Sequence, residues 1–474
     1  MTAPNNAQFK RRIKNALQDQ NMRQAVKKAT AILRNNRLKA AEERGNWNAW
    51  RALGKDIREH VIANLDYYLQ EFAGNVRRNG GQVHFADSAN DVIQTVSQVV
   101  TAHQAKIMVK SKSMVSEEVH LNKALQDSGV TVVETDLAEY IIQLADEPPS
   151  HIIVPAIHKN RYQIAELFSH VAGEVIPADT PSLNSFARRM LRERFLAADV
   201  GLSGCNFAVA ETGSIALVTN EGNGRMVTSL PKVHIVLMGM ERIVPSLSDL
   251  EVVLNLLPRS ATGQKLTSYV SLITGPHQQG ELDGPEELHV IIVDNGRTNL
   301  LVDPEFRSAL HCIRCGACFN VCPVYRQIGG FAYGSVYGGP IGSVITPLLN
   351  DDLQHWGELA YASTLCAACS EACPVMIPLH EHLVRLRYRR CKAGYTPELE
   401  RMAFRTWGSL FSRPGKYRWA MQSGYFLQRP LMHGNHLEGG PTPLAGWTNS
   451  RYFPAVAKEP FRKRWDKLVK EVQD

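Results

Sequence analysis

Residues 312–323 read CIRCGACFNVCP, and residues 363–374 read STLCAACSEACP. The first run sets Cys312, Cys315, Cys318 and Cys322 at the spacing C-x2-C-x2-C-x3-C-P, an iron–sulfur ligand pattern in which the fourth cysteine serves the other cluster of a pair. Two-residue spacers wrap three thiolates around one face of a cube, and the longer step directs the fourth elsewhere. Soft thiolates favour iron–sulfur clusters or zinc over hard cations. Two CxxC pairs can make one tetrahedral zinc site, but seven cysteines in two unequal groups, both closing in Cys-Pro, fit zinc badly. The second run holds only Cys366, Cys369 and Cys373, and Ser363 stands where a fourth cysteine would begin it.

Crosswise exchange assigns Cys312, Cys315, Cys318 and Cys373 to one cluster and Cys322, Cys366 and Cys369 to the other. The first set is complete. Three thiolates can hold a three-iron cluster, [3Fe-4S], or a four-iron cluster whose last iron takes serine oxygen from Ser363, water, another side chain or a partner's ligand. Cys205 and Cys391 are the only spare thiols. The segments entering Cys366 and leaving Cys373 have helical patterns, so residues 304–392 are expected to form a helical two-cluster domain, interrupted by an irregular glycine-rich loop at 329–342 (GGFAYGSVYGGPIG). Paired clusters pass single electrons, so two-electron chemistry on an organic substrate belongs to another cofactor or a partner.

The 474-residue chain is ordinary in composition, with 44% hydrophobic and 21% charged residues, and its length suits two or three domains. Seven of the nine cysteines fall between 312 and 373, a clustering that in a reducing compartment indicates metal or redox chemistry rather than disulfides. No apolar run follows Arg11 and Arg12, so neither a secretory nor a twin-arginine signal is expected. No stretch approaches about 18 apolar residues, so no transmembrane segment is expected. A cytoplasmic protein follows, with peripheral contact at the inner membrane left open. The formal charge is +7, with basic groups at 188–194, 385–392 and 462–470. Most are expected to be solvated helix faces, and no recognition module accompanies them, so nucleic acid is not expected as a partner.

Residues 1–80 carry helical periodicity and end at Gly80 and Gly81, a helical arm. Residues 81–303 alternate strands and helices, an α/β domain. The expected strands are 105–109, 130–134, 151–156 (HIIVPA), 233–239, 269–275 (YVSLITG) and 287–294, whose continuous apolar character suits burial on both faces. Crossover helices are expected at 116–129 and 160–173, and an amphipathic helix at 182–199. The insertion 204–231 reads as antiparallel strands with turns at 211–213 and 221–224. Neither GxGxxG nor GxxxxGK[ST] occurs, so no dinucleotide or triphosphate site is indicated. Glu211, Thr212, Gly213 and Ser214, with Arg225, form a candidate anion or substrate site; two ordinary β-turns explain the same composition. Asn220, Glu221 and Asn223 accompany Arg225, and Lys110, Ser111, Lys112 and Arg189 are weaker candidates for the pocket. Residues 393–474, with Trp407, Trp419, Trp447 and Trp465, are expected to form a basic, Trp- and Pro-rich extension.

The order of a helical arm, an α/β domain with an ETGS turn, CIRCGACFNVCP, a glycine-rich loop, LCAACSEACPVMIPL and a Trp-rich tail resembles the lactate utilization protein B family over almost the whole chain. The resemblance implies that the α/β part is a LUD domain of the NagB, ribose-phosphate isomerase and CoA-transferase type, followed by a ferredoxin-type domain. It implies two [4Fe-4S] clusters, with Cys322, Cys366 and Cys369 as the only assigned cysteines of the second. It also implies an electron-transfer subunit in the oxidation of L-lactate to pyruvate. The implied partners are a CCG-domain iron–sulfur protein, a smaller LUD-domain protein and an unidentified electron acceptor. The alternative is a chain that is itself a 2-hydroxy-acid oxidoreductase with substrate in the LUD domain; no catalytic residue is identified for it.

Overall fold

Ten of the strands among the described residues build two sheets: β1 Gln82–Ala86, β2 Ile107–Ser111, β3 Thr131–Glu134, β4 Val200–Gly204, β5 Phe207–Val209, β6 Ser214–Thr219, β7 Val233–Gly239, β8 Ile243–Val244, β9 Tyr269–Ile273 and β10 Glu287–Val293. In this computed structural model, which describes residues 6–437, 448 and 451–473, six strands form a parallel sheet in the order β1-β10-β7-β4-β2-β3. Its central strands β4 and β7 are wholly buried, as the apolar run VHIVLMG requires. A polar pair inside the sheet, Ser203 Oγ with His234 Nε2 at 2.8 Å, satisfies two groups that water cannot reach. The second sheet, β8-β5-β6-β9, contains the antiparallel hairpin β5–β6.

Five sequence expectations differ from this arrangement. HIIVPA is a turn, not a strand. Ser150 donates its N–H to the Pro155 carbonyl at 3.0 Å, and the His151 Nδ1 accepts from Ile153 and Val154 at 3.1 and 3.2 Å. YVSLITG is β9, but it lies in the smaller sheet with Tyr269, Val270 and Leu272 exposed. The segment after the second turn of the insertion is a helix, Asn223–Ser229, and the helix expected at 116–129 is two, Met114–Glu118 and Leu121–Asp127. The second half of the glycine-rich stretch begins the helix Gly339–Leu349.

Four helices precede the sheet: α1 Asn6–Gln18, α2 Gln20–Arg44, α3 Trp47–Ala63 and α4 Leu65–Arg78. Asp19 caps α2 by accepting from the Met22 N–H at 2.9 Å. These helices share one apolar core with the smaller sheet and the cysteine segment, through Val26, Val61, Phe72, Phe207, Leu256, Phe306, Phe319 and Tyr325. A second core, centred on Val92, Leu121, Leu202 and Ile235, packs elsewhere against the six-stranded sheet. Residues 1–392 constitute one compact unit and 393–474 another. The second unit contains the helices Glu398–Phe411, Pro414–Gln428 and Phe461–Gln473, with Trp407, Trp419 and Trp465 exposed; Trp447 lies outside the described residues.

The 150–155 turn packs tightly onto the cysteine segment. A Cβ on Gly330 would stand 1.9 Å from the Ser150 carbonyl oxygen, whereas one on Gly74, within α4, meets nothing within 4 Å. Gly330→Ala is expected to destabilise the protein by about 1–3 kcal/mol through overpacking, and Gly74→Ala to stabilise it by about 0.5–1 kcal/mol through helix propensity. Thermal unfolding of the two variants measures the contrast.

Candidate iron–sulfur centre and an adjoining cavity

The two cysteine runs have the same backbone. Arg314 and Gly316 flank Cys315 at φ 58° and 71°, and Leu365 and Ala367 flank Cys366 at φ 56° and 63°. A five-residue helix follows in each, Ala317–Val321 and Ala368–Ala372, and each ends on an extended cysteine, Cys322 or Cys373. Cys312 accepts from the Arg314 N–H at 3.4 Å, and Ser363 Oγ accepts from the Leu365 N–H at 3.0 Å. Ser363 therefore occupies the place of Cys312 in the second copy. The two short helices pack against one another, which brings each terminal cysteine toward the other run.

Cys312, Cys315, Cys318 and Cys373 line one small cavity with Ile152, Ile313, Ile341, Val375, Ile377 and Leu379. The donor set fits an iron–sulfur cluster: four thiols, no competing carboxylate, and apolar walls that exclude water. Backbone N–H groups also reach the sulfurs, Ile377 to Cys373 at 3.4 Å and Tyr325 to Cys322 at 3.5 Å, and such donors favour the thiolate. Burial raises the bare thiols of Cys315 and Cys318, and holds Cys369 and Cys373 up at about 11. Iron must displace those protons. Cys366 differs: it is exposed, and hydrogen bonds from the Thr364 side chain and the Ala368 N–H lower its thiol. Cys322, Cys366 and Cys369 sense one another electrostatically, a second group of which Cys366 alone is exposed.

Arginines from the amino-terminal helices hold this region. Arg51 donates from Nε to the Cys373 carbonyl at 2.9 Å. Arg58, buried in α3, donates to the carbonyls of Ile243 at 2.6 Å, Leu310 at 3.2 Å and Glu241. The Arg-rich helix Leu379–Lys392 is likewise a staple and not the solvated face expected from its sequence. Arg387 donates to the carbonyls of Ala360 and Ser363 at 3.0 and 3.1 Å, Arg389 pairs with Asp303 and Glu305, and Arg390 with Glu358.

A larger cavity of about 350 Å3 adjoins the first run. Lys112, Gly204 and Arg242 reach it from the carboxyl ends of β2, β4 and β7, where parallel sheets bind ligands. The 152–155 turn, Arg314 and Tyr337 close its other side. Glu118 and Glu241 organise the charges. Glu118 holds Arg297 in a bidentate pair, 2.9 Å at each end, and accepts from Tyr337 Oη at 2.6 Å. Glu241 accepts from Arg297 Nε at 2.7 Å and from Arg314 Nη2 at 3.4 Å. Together with Arg242, these guanidinium groups hold its carboxyl down at about 2 against the effect of burial. Cys205 also lines the cavity, its thiol pushed up to about 12 by burial.

The ETGS residues do not line it. Glu211 Oε1 accepts from the Leu247 N–H at 2.6 Å, the Thr212 carbonyl accepts from Asn79 at 2.9 Å, and Ser214 bonds Thr274 at 2.9 Å. Gly213, at φ 69°, leaves no room for a Cβ against Asn75 and Val76. The turn thus fastens α4 and the helix Leu247–Ala261. Arg225 is exposed beyond the far end of β6, and at about 3.3 Å per residue that strand separates the two groups by roughly 17 Å. The structure does not bring them together. Asn220, Glu221 and Lys112 line the cavity, with Lys112 paired to Asp136; Asn223 is spent on Ser111 and Thr135. Lys110 is neutralised by Glu117 and Glu134, and Arg189 is exposed beside Glu174. Sequence reasoning missed Glu241, Arg242, Arg297 and Arg314. The available signal was the charged pair directly after the best strand, β7.

Glu241→Gln is expected to cost about 3–5 kcal/mol at pH 7, because it leaves buried guanidinium groups uncompensated. A carboxyl lowered from 4.5 to about 2 stabilises the fold fully above its unfolded value and loses that contribution as pH falls toward 2. The wild-type advantage in denaturant unfolding should therefore shrink below about pH 4.

Known proteins agree with this organisation. The LUD domain model matches residues 69–293, the 4Fe-4S dicluster domain model residues 308–377, and the C-terminal domain model of lactate utilisation protein B residues 388–469. The chain is 50% identical to Lactate utilization protein B of Shouchella clausii over 98% of both chains. It is 51% identical to that of Bacillus licheniformis, over 98% of this chain and 97% of the other, and 50% identical to that of Bacillus subtilis, over 96% and 95%. A solved DUF162 family protein from Deinococcus radiodurans aligns with 48% of this chain and 98% of that one at 14% identity and a TM-score of 0.27, too low to carry an argument. With half of its residues shared along nearly its whole length, and with a LUD α/β domain followed by a helical 4Fe-4S region, the chain belongs to the lactate utilization protein B family.

Proposed function

We propose that this chain is the iron–sulfur electron-transfer component of a cytoplasmic system that oxidises L-lactate to pyruvate, working with a CCG-domain iron–sulfur protein and a smaller LUD-domain protein. The observation that supports it most is the cavity lined by cysteines from both runs. On this reading Cys312, Cys315, Cys318 and Cys373 hold one [4Fe-4S] cluster. Cys322, Cys366 and Cys369 hold the second, with Ser363 at the position of a fourth ligand. When bound, such clusters supply reversible one-electron transfer at potentials set by charge, hydrogen bonds and exposure.

The chain's own residues give the pair an accessible side. Apolar walls and three buried thiols enclose the first site, while Cys366 is exposed beside the second. Electrons from a docked partner therefore meet the second site first or leave from it last. Arg37, Arg51 and Arg58 place positive charge around the first site, which favours its reduced state. None of these groups provides a two-electron acceptor for lactate, so hydride removal is assigned to the partner system.

The loaded chain alone, kept anaerobic with L-lactate, should keep its clusters oxidised, and adding the two partners should bleach their visible absorbance. Bleaching by the isolated chain would instead make it the oxidoreductase. Ser363→Ala should alter the EPR signal of one cluster and leave the other intact; two unchanged signals would put another group at that corner.

A further inference from the structure

The cavity beside the first cysteine run has two guanidinium groups that the carboxylates around them do not satisfy. Three guanidinium groups line it, from Arg242, Arg297 and Arg314, and Glu241 is the carboxylate that all three approach. Arg297 is fully served, because Glu118 takes both of its terminal nitrogens. Arg242 and Arg314 are not. Arg242 comes no nearer to Glu241 than 3.9 Å. Arg314 has one contact to Glu241 at 3.4 Å, while its Nη1 is buried with no hydrogen-bond partner and its planar group lies over the Tyr337 ring, 4.7 Å from the centroid. Their side chains are only 12% and 11% exposed, so bulk water solvates them little. Two under-partnered guanidiniums on one enclosed space present the paired donors that bind a carboxylate. At the opposite wall, Lys112 pairs with Asp136, and burial raises the carboxyls of Glu139 and Glu221 above their ordinary values.

We propose that this cavity binds a small carboxylate through Arg242 and Arg314, and that its occupancy is linked to the redox state of the cluster held by Cys312. The link is Arg314. Its backbone N–H points at Cys312 Sγ, its guanidinium faces the cavity, and both it and Arg242 lie close enough to Cys312 to feel its charge. An added electron on the cluster and a bound anion draw on the same two cations. Each therefore disfavours the other, and by linkage the effect is equal in both directions. A tenfold preference of the anion for the oxidised protein corresponds to a midpoint potential about 59 mV lower when the site is full. The linkage rests on the cluster assignment above; the anion site itself does not.

The test uses the full-length, anaerobically reconstituted protein with pyruvate as the probe. Calorimetric titration of the oxidised protein should show saturable binding. EPR-monitored redox titration should show one cluster potential falling as pyruvate is raised, with the other unmoved. Arg242→Gln, which spares the cysteine loop, should weaken binding about tenfold or more and abolish the shift, and Arg242→Lys should recover part of both. Iron and sulfide contents equal to wild type certify that each variant is folded and loaded. Absence of pyruvate binding to the wild type, or equal binding by Arg242→Gln, would overturn the site. Binding with no change in either potential would overturn the linkage. Clusters with no reversible transition at all would defeat the electron-transfer reading instead, and calorimetry would still decide the anion site.

Discussion

The constraint on which most of this structure depends is that two short cysteine runs, separated by a long intervening segment, must lie face to face. Each run turns through two positive-φ residues, makes a five-residue helix and stops at a Cys-Pro step. Neither copy alone surrounds a cluster-sized space; the first cavity is completed by Cys373 from the second copy. The surroundings serve that closure. Arg51 grips the Cys373 carbonyl from α3, Arg387 grips the Ser363 carbonyl from the carboxyl-side helix, and the 150–155 turn presses on Gly316 and Gly330.

That pressure also shapes the boundary between the α/β domain and the cysteine segment. His151 packs edge-on against Phe319 and Tyr325, and burial holds its imidazole down at about 4. The ring is thus neutral at physiological pH and its Nδ1 remains free to accept the two N–H groups that shape the turn. Tyr325 returns a hydrogen bond to the Ser150 carbonyl at 2.8 Å. The large cavity opens beside this seam, with one wall from the sheet and the other from the cysteine run. The LUD-domain cavity and the first cysteine run are therefore neighbours by construction.

How much of this was legible in the sequence follows from burial. β7 and β10 stood out because parallel strands covered on both faces admit little but Val, Ile, Leu and Met. β1, QVHFA, was hidden because it is an edge strand whose polar Gln82 and His84 reflect partial exposure. β4, VGLSG, was hidden because Gly201 and Gly204 are demanded by close approach: a Cβ at either would stand 2.0 Å from a backbone oxygen, of Val227 or of Lys112. HIIVPA misled for the opposite reason, since Ile152, Ile153 and Val154 are partly buried against another segment rather than within a sheet. The cysteine spacing carried the cluster motif, because ligand geometry is local. The ETGS turn attracted attention through composition alone, and its hydrogen bonds are spent on fastening helices. Arg58, Arg297 and Arg314 were illegible, because a buried arginine and a surface arginine look alike until the partners are in place.

The central claim is that the two runs exchange their last cysteines, and EPR of single ligand variants tests it most directly. Cys373→Ser, made in the fully reconstituted protein, should perturb the same signal as Cys312→Ser, and Cys322→Ser the same signal as Cys369→Ser. If Cys373→Ser instead perturbed the signal that Cys366→Ser and Cys369→Ser affect, each run would bind its own cluster and the crosswise account would be contradicted.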